Sequence, residues 1–205
     1  MGCILKMIEP LLIRWRSFYY GLKFAKKGKR VRIQGKHFTV EGHVECGDYC
    51  RFRDYVIMRT HGEGKIIIGT HSLLSYYTYL ESTCLIKIGS HTAIAEFTVI
   101  RDTNHVFWGT EEHFALTPHI AKPVIIGDNV LIGSRCYIHP GVEIGDGAII
   151  GVGSVLAEDT KVGPFEVWAG VPARKIGHRT ESAPPEKVLQ SKELIEKYGI
   201  RKFRY

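Results

Sequence analysis

Long apolar runs, acids near the N-terminus and an even set of cysteines are what this 205-residue chain lacks. No stretch of about eighteen apolar residues occurs, which excludes a membrane-spanning helix. The opening apolar stretch is broken by Lys6, Glu9 and Pro10, and no small-residue cleavage site follows, so it does not read as a secretory signal. After Met1-Gly2-Cys3, Lys6 stands where a myristoylation signal places Ser or Thr. The five cysteines (Cys3, Cys46, Cys50, Cys84 and Cys136) are odd in number, which without an export signal points to the reducing cytoplasm. A single acid, Glu9, accompanies ten lysines and arginines in residues 1–36, while the rest of the chain holds 18 basic against 20 acidic residues. The net charge of +7 therefore resides at the N-terminus. No recognition motif for nucleic acid accompanies it, so nucleic acid is not an expected partner.

What the chain does have is a period. Ile126, Ile132, Ile138, Ile144, Ile150, Leu156, Val162 and Trp168 recur at every sixth position. The residue after each is usually Gly or Ala, and the fourth one on is small or modest: Val130, Cys136, Val142, Ala148, Ser154 and Thr160. A period of six gives no helical face. It fits a short strand and a tight corner, repeated, so that three sides close one triangular coil with the large aliphatic inward and a small residue easing each corner. A β-sandwich would instead show longer alternating runs and uneven loops. The spacing predicts one main domain, an all-β solenoid over residues 31–177.

Earlier inward positions are Val40, Cys46, Phe52 and Met58, then Ile68, Leu74 and Leu80, then Ile88, Ile94 and Ile100. An insertion at 61–65, two extra residues after Leu80, and a long break over 101–123 separate these runs, and about six coils result. Cys46 takes an inward large position, and Cys50, Cys84 and Cys136 take inward small ones. They are expected in the core, with no metal. A break as long as 101–123 without repeat content is usually functional.

Both ends differ from the repeat. Ile4, Leu5, Ile8, Leu11, Leu12, Trp15, Phe18, Tyr19 and Leu22 share one stripe of a predicted N-terminal helix, with Lys6, Arg14, Arg16 and Lys23 mostly beside it. Lys26, Lys27, Lys29, Arg30 and Arg32 follow. A basic amphipathic segment over 1–30 suits an anionic membrane surface. The stripe could equally cap the solenoid, since repeat folds need closed ends. Beyond Pro172 comes a polar linker with Pro184-Pro185. Helical spacing over 186–198 then predicts a C-terminal helix within residues 178–205, stopped by Gly199.

The text PVIIGDNVLIGSRCYIHPGVEIGDGAIIGVGSVLAEDT from Pro123, followed by WAGVPARKIG from Trp168, resembles the hexapeptide-repeat acyltransferases. The likeness is to their maltose/galactoside and polysaccharide O-acetyltransferase branch. It is strong over residues 66–177 and absent from the N-terminal helix. It implies a left-handed parallel β-helix, a homotrimer, and acetyl-CoA as donor. The handedness comes from the resemblance alone, because ordinary crossovers are right-handed.

The resemblance also implies site residues. A family histidine that acts as general base lies where the long loop leaves the coil, and the matching residue is His105 in Asp102-Thr103-Asn104-His105. A sugar hydroxyl is too weak an acid to attack a thioester unaided, and an imidazole can take its proton as the bond forms. His113 and His119 follow in the same loop as fallback candidates; His71, His91 and His139 fall at corners and are expected to be solvated. The tautomer of the base needs a second group, which the sequence does not single out. For the donor, Ser134, Val152 and Gly153 match contacts to the pantetheine arm, and Arg174, with Lys175, matches a position near the adenosine phosphates.

Three departures stand out: Leu131 replaces an aromatic, Ala157-Glu158 replaces a Thr-Lys pair, and Ser75-Tyr76-Tyr77-Thr78-Tyr79 replaces an Asn-rich acceptor motif. Tyr76 and Tyr77 could stack on a sugar or merely pack, and Asn104 adjoins the base. The reading that results is a cytoplasmic, membrane-apposed O-acetyltransferase acting on a saccharide hydroxyl by direct transfer, with His105 as base. The alternatives are N-acetylation of a nucleotide-linked amino sugar or of a xenobiotic, and a non-enzymatic scaffold. A zinc enzyme on this fold would need three convergent histidines, and the spacing of His105, His113 and His119 does not resemble that pattern.

Overall fold

A computed structural model describes residues 2–109, 111–180 and 196 of the chain. Short strands stack into three parallel faces. The first face runs Lys26–Lys27, His43–Cys46, Lys65–Ile68, Leu85–Ile88, Val124–Ile126, Glu143–Ile144 and Lys161–Val162. The second begins at Arg32–Ile33 and Arg51–Phe52 and ends at Glu166–Gly170; the third runs from Phe38–Glu41 to Val155–Leu156. Neighbours in each face lie one coil apart and pair in parallel, as Ile86 with Ile66 and Ile94 with Leu74. This is the predicted all-β solenoid, consistent with the left-handed β-helix that the resemblance implies.

The first face has seven strands, so the coil makes about seven turns rather than six. The extra turn starts at Lys26–Lys27, paired with Glu45–Cys46. Both of its residues are exposed, so the strand carries no inward aliphatic by which the period could reveal it.

The sixfold aliphatics fill the interior. Leu74, Leu80, Ile94, Ile100, Ile132, Ile138 and Leu156 are fully buried. Each such side chain contributes roughly 1.5–3 kcal/mol. Cys46, Cys50 and Cys136 are buried with them, and burial pushes the Cys136 thiol above its ordinary range. Cys84 is only half-buried, because the two extra residues after Leu80 move it out of the inward frame. Trp168, last of the series, is only partly buried against the core.

The corners are not turned by small residues alone. Between the first and second faces, Arg30, Tyr49, His71, His91, Asn129 and Phe165 adopt φ of 54–60°. Between the second and third, Tyr55, Tyr77, Phe97 and Arg135 do so at 57–61°. A left-handed residue with a side chain costs about 1–2 kcal/mol. Stacking offsets part of this: Tyr55, Tyr77 and Phe97 lie ring on ring at 4.6 and 4.9 Å, and Tyr49, His71 and His91 at 4.6 and 5.0 Å. The glycine after each aliphatic serves close approach of the coils. A Cβ on Gly133 would stand 2.7 Å from the backbone nitrogen of Val152.

Every break in the sixfold frame falls at the remaining vertex, between the third and first faces. The turn after Thr60, the extra pair Thr83-Cys84 and the excursion 101–123 all leave there. Insertions confined to one edge leave the other two regular, as repeat folds favour.

The N-terminal helix α1 (Gly2–Tyr19) lies over the open end of the coil. Arg16, itself buried, donates to Gln34 O at 3.0 Å, and Ser17 Oγ accepts from Ile33 N at 2.9 Å. These polar groups satisfy backbone atoms that have no preceding coil to pair with. A run of rings, Tyr20 on Phe38 and Phe38 on Phe52, continues the contact into the core. At the far end, Ala173–His178 turns back antiparallel on Glu166–Gly170. The predicted C-terminal helix lies outside the described residues, except Glu196, which is helical.

Candidate active site

The excursion 101–123 is a hairpin rather than a loop. Thr103–His105 pairs antiparallel with His119–Ala121, which sets His105 opposite His119. The hairpin is anchored by Asp102, which is fully buried. Its carboxylate accepts from Ser82 Oγ at 2.6 Å, Thr83 N at 2.8 Å and Cys84 N at 2.9 Å, and its carbonyl accepts from Lys122 N at 2.8 Å. A buried carboxylate with this many donors holds a fixed direction. Replacing Asp102 by alanine leaves those donors unsatisfied, with an expected loss of about 2–4 kcal/mol in chemical denaturation.

His105 stands exposed on the hairpin. Its Nδ1 lies 3.1 Å from His119 Nε2 and 3.5 Å from Thr117 Oγ1, and the two imidazoles meet edge to face at 4.1 Å. Nδ1 is thereby occupied by the second group that the tautomer requires. Asn104 Nδ2 donates to Glu158 Oε1 at 3.1 Å. Lys122 lies between Glu158 at 3.8 Å and Asp159 at 2.5 Å, and its hydrogen bond to Asp159 raises its pKa. Glu158, which departs from the family's pattern, thus ties the foot of the hairpin to the neighbouring coil. Asn104 is engaged in the same tie. Among the described residues no group of three His, Cys, Asp or Glu gathers as a metal site.

The expected donor residues lie on a different vertex, between the second and third faces. Ser134 follows Ile132 by two positions, and Tyr76, Glu96 and Val152 hold the same place in their own coils. Ser134 Oγ donates to Glu96 Oε1 at 2.7 Å, which holds the Glu96 carboxyl below its usual range. Beside this column runs the left-handed one, Tyr55, Tyr77, Phe97 and Arg135, and it ends at Gly153 with φ +71°. The ring ladder ends at Phe97, with Arg135 over it at 5.8 Å, and a Cβ on Gly153 one coil further would meet nothing within 4 Å, which leaves an open notch. Val152 beside it is 71% exposed. Tyr77 has neighbouring rings on both faces, so it packs rather than offering a face to a sugar. Tyr76 is exposed, with Arg53 over its ring at 5.8 Å.

Arg174 and Lys175 lie on the closing strand at the end of the coil. Arg174 is exposed, and Lys175 pairs with Glu166 at 2.8 Å. Lys175, with the indole of Trp168 and the amide of Gly163, brings the Glu166 carboxyl down to about 2. Of the other corner histidines, His91 is exposed as expected, while His71 and His139 are half-buried. His71 and His91 belong to the stack behind Tyr49, and burial lowers the pKa of His139.

His105 and the Ser134–Gly153 notch therefore lie along separate vertices of the triangular solenoid. Asp102, Glu158 and Glu96 were not picked out as site residues by the sequence. His119 was, as a fallback for the base, and it stands beside His105 instead.

Residues 123–158 match the family described as the hexapeptide repeat of succinyl-transferase. That segment of the chain is similar to the hexapeptide repeat. The putative colanic acid biosynthesis acetyltransferase WcaF of Escherichia coli (strain K12) is 36% identical to this chain over 126 residues. That match covers 61% of this chain and 64% of the curated relative's length. Among solved structures, AntD, an N-acyltransferase from Bacillus cereus in complex with dTDP and 3-hydroxybutyryl-CoA, superposes with a TM-score of 0.70 at 24% identity. The superposition covers 90% of this chain and 96% of AntD. The polySia-specific acetyltransferase NeuO gives 0.51 at 22% identity, over 86% and 92% of the two chains. At these identities the structural likenesses establish the fold and nothing finer. They do extend that likeness over the first coils, which the family match does not reach.

Proposed function

We propose that this chain is an acyltransferase that moves an acetyl group from acetyl-CoA to a hydroxyl of a sugar in surface-polysaccharide synthesis. The observation that carries the reading is the imidazole pair on the anchored hairpin. In this reading Nδ1–H of His105 donates to His119 Nε2, so the proton-accepting role falls to His105 Nε2. The acceptor O–H proton passes to that nitrogen as the oxygen attacks the thioester carbon. The tetrahedral intermediate then collapses by breaking the C–S bond, and the imidazolium returns its proton to the leaving CoA sulfur. No covalent acyl-enzyme is required.

The separation of His105 from the Ser134–Gly153 notch supports a homotrimer in which each site takes its base from one protomer and its donor slot from the next. The pantetheine arm would lie along Ser134, Val152 and Gly153, where the ladder stops and backbone can be approached closely. Arg174 would meet the CoA phosphates. Lys175 can join it only by leaving Glu166, and Glu158 stands where the family has a lysine, so phosphate binding rests more heavily on Arg174. Tyr76 and Asn104 remain the acceptor-facing candidates. The membrane-apposed placement, at the inner face through residues 1–30, fits an acceptor carried on a lipid-linked precursor.

A second reading is N-acylation of a nucleotide-linked amino sugar; AntD, whose fold this chain shares, is an N-acyltransferase. Hydroxyl and amino sugars assayed side by side for acetyl-CoA consumption separate the two. The expected result is thiol release with hydroxyl saccharides at more than about tenfold the kcat/KM for amino sugars, the discrimination expected of a site matched to one acceptor group. The reverse ratio overturns the O-transfer reading.

A further inference from the structure

The end of the coil that bears α1 presents its surfaces in an unusual order. The side of the helix toward the coil carries Glu9, Arg16, Ser17 and Tyr20, which hydrogen-bond to each other or to the first coil. The apolar side faces away. Leu11 and Trp15 are 62% exposed, Phe18 69%, and Leu22, in the short helical turn after α1, 71%. A cap made only to close the solenoid would put that side inward, since apolar residues on one face gain by burial. Beneath the same helix runs a groove of about 1060 Å³, whose lining includes Arg14, Lys27, Arg30 and Arg32. Glu9 is the single acid in that lining, and it is paired with Arg16 at 3.3 Å. Phe18 borders both the groove and the exposed apolar side. An uncovered apolar strip beside a cationic groove matches the cross-section of an anionic bilayer, where acyl chains lie just below a layer of phosphates.

We propose that this end of the molecule docks on anionic phospholipid. Leu11, Trp15, Phe18 and Leu22 enter the acyl layer, and the groove holds lipid phosphates against Arg14, Lys27, Arg30 and Arg32. Arginine forks and lysine ammonium groups are the donors that suit phosphate oxygens. This assignment rests on the membrane-apposed reading above and adds the residues and the lipid class.

The test is flotation of the full chain with vesicles of phosphatidylcholine, alone or with phosphatidylglycerol added. Two variants accompany it: Arg14→Gln/Lys27→Gln/Arg30→Asn for the groove, and Leu11→Gln/Phe18→Gln for the helix. Asparagine is chosen at position 30 because the backbone there is left-handed. All replaced side chains are on the surface, and thermal melting checks that each variant folds. The wild type is expected to float with the anionic vesicles only. Each cation removed should weaken partition by roughly fivefold, so the groove variant loses about a hundredfold, and the helix variant is lost as well. Transfer to a soluble saccharide should be unchanged in both, which separates docking from the acyl-transfer reading.

If the wild type floats and the groove variant floats equally well, the groove assignment fails while membrane apposition stands. No flotation of the wild type overturns both. Concentration-dependent association that the helix variant abolishes, without vesicle binding, would show that a second copy covers the strip, and would also overturn the proposal.

Discussion

Replacing His105 by alanine is expected to lower kcat by about 10²–10⁴-fold, the range of a general base, while acetyl-CoA binding followed by calorimetry stays unchanged. The side chain projects from a hairpin whose direction is fixed by Asp102 at its foot, so the substitution removes the imidazole without releasing the strand. His105 is exposed, and its loss opens no cavity in the core. The donor slot assigned to Ser134, Val152 and Gly153 lies on another vertex and keeps its geometry. A rate loss with intact donor binding is what removal of a proton acceptor produces, whereas a misfolded site would lose both. Turnover within a few-fold of wild type would refute the base role.

The regular part of the coil was legible because packing repeats with the sequence. One large aliphatic per side must point inward, so Ile126 to Val162 announce seven consecutive sides with no structure in hand. The first coil was not legible, because Lys26–Lys27 contributes backbone pairing and no inward side chain. The corner chemistry was misjudged for a related reason. Tyr55, Tyr77 and Phe97 turn the chain in a left-handed conformation that single-residue preferences disfavour. Their support comes from rings roughly twenty residues away, one coil above and below. Likewise His119 gained its place from the antiparallel pairing inside 101–123, a register that no sixfold pattern marks. The helix was foreseen as amphipathic, but which face it buries depends on the unpaired backbone of Ile33 and Gln34, and that is a property of the folded coil.

The central claim, a base and a donor slot brought together from two protomers, is tested most directly by mixing two inactive variants. His105→Ala removes the base, and Gly153→Phe fills the notch. The space beside Gly153 is open, and phenylalanine there takes on a left-handed strain of about 1–2 kcal/mol, one that the same column already carries at Tyr77 and Phe97. Each variant alone is expected to retain about 1% of the wild-type rate or less. After unfolding and refolding together in equal amounts, random trimers should place an intact His105 beside a neighbour's intact notch in roughly one site in four, and about a quarter of the wild-type rate should return. A mixture no more active than its separate components would contradict the account, because it would mean that one chain supplies both halves of the site.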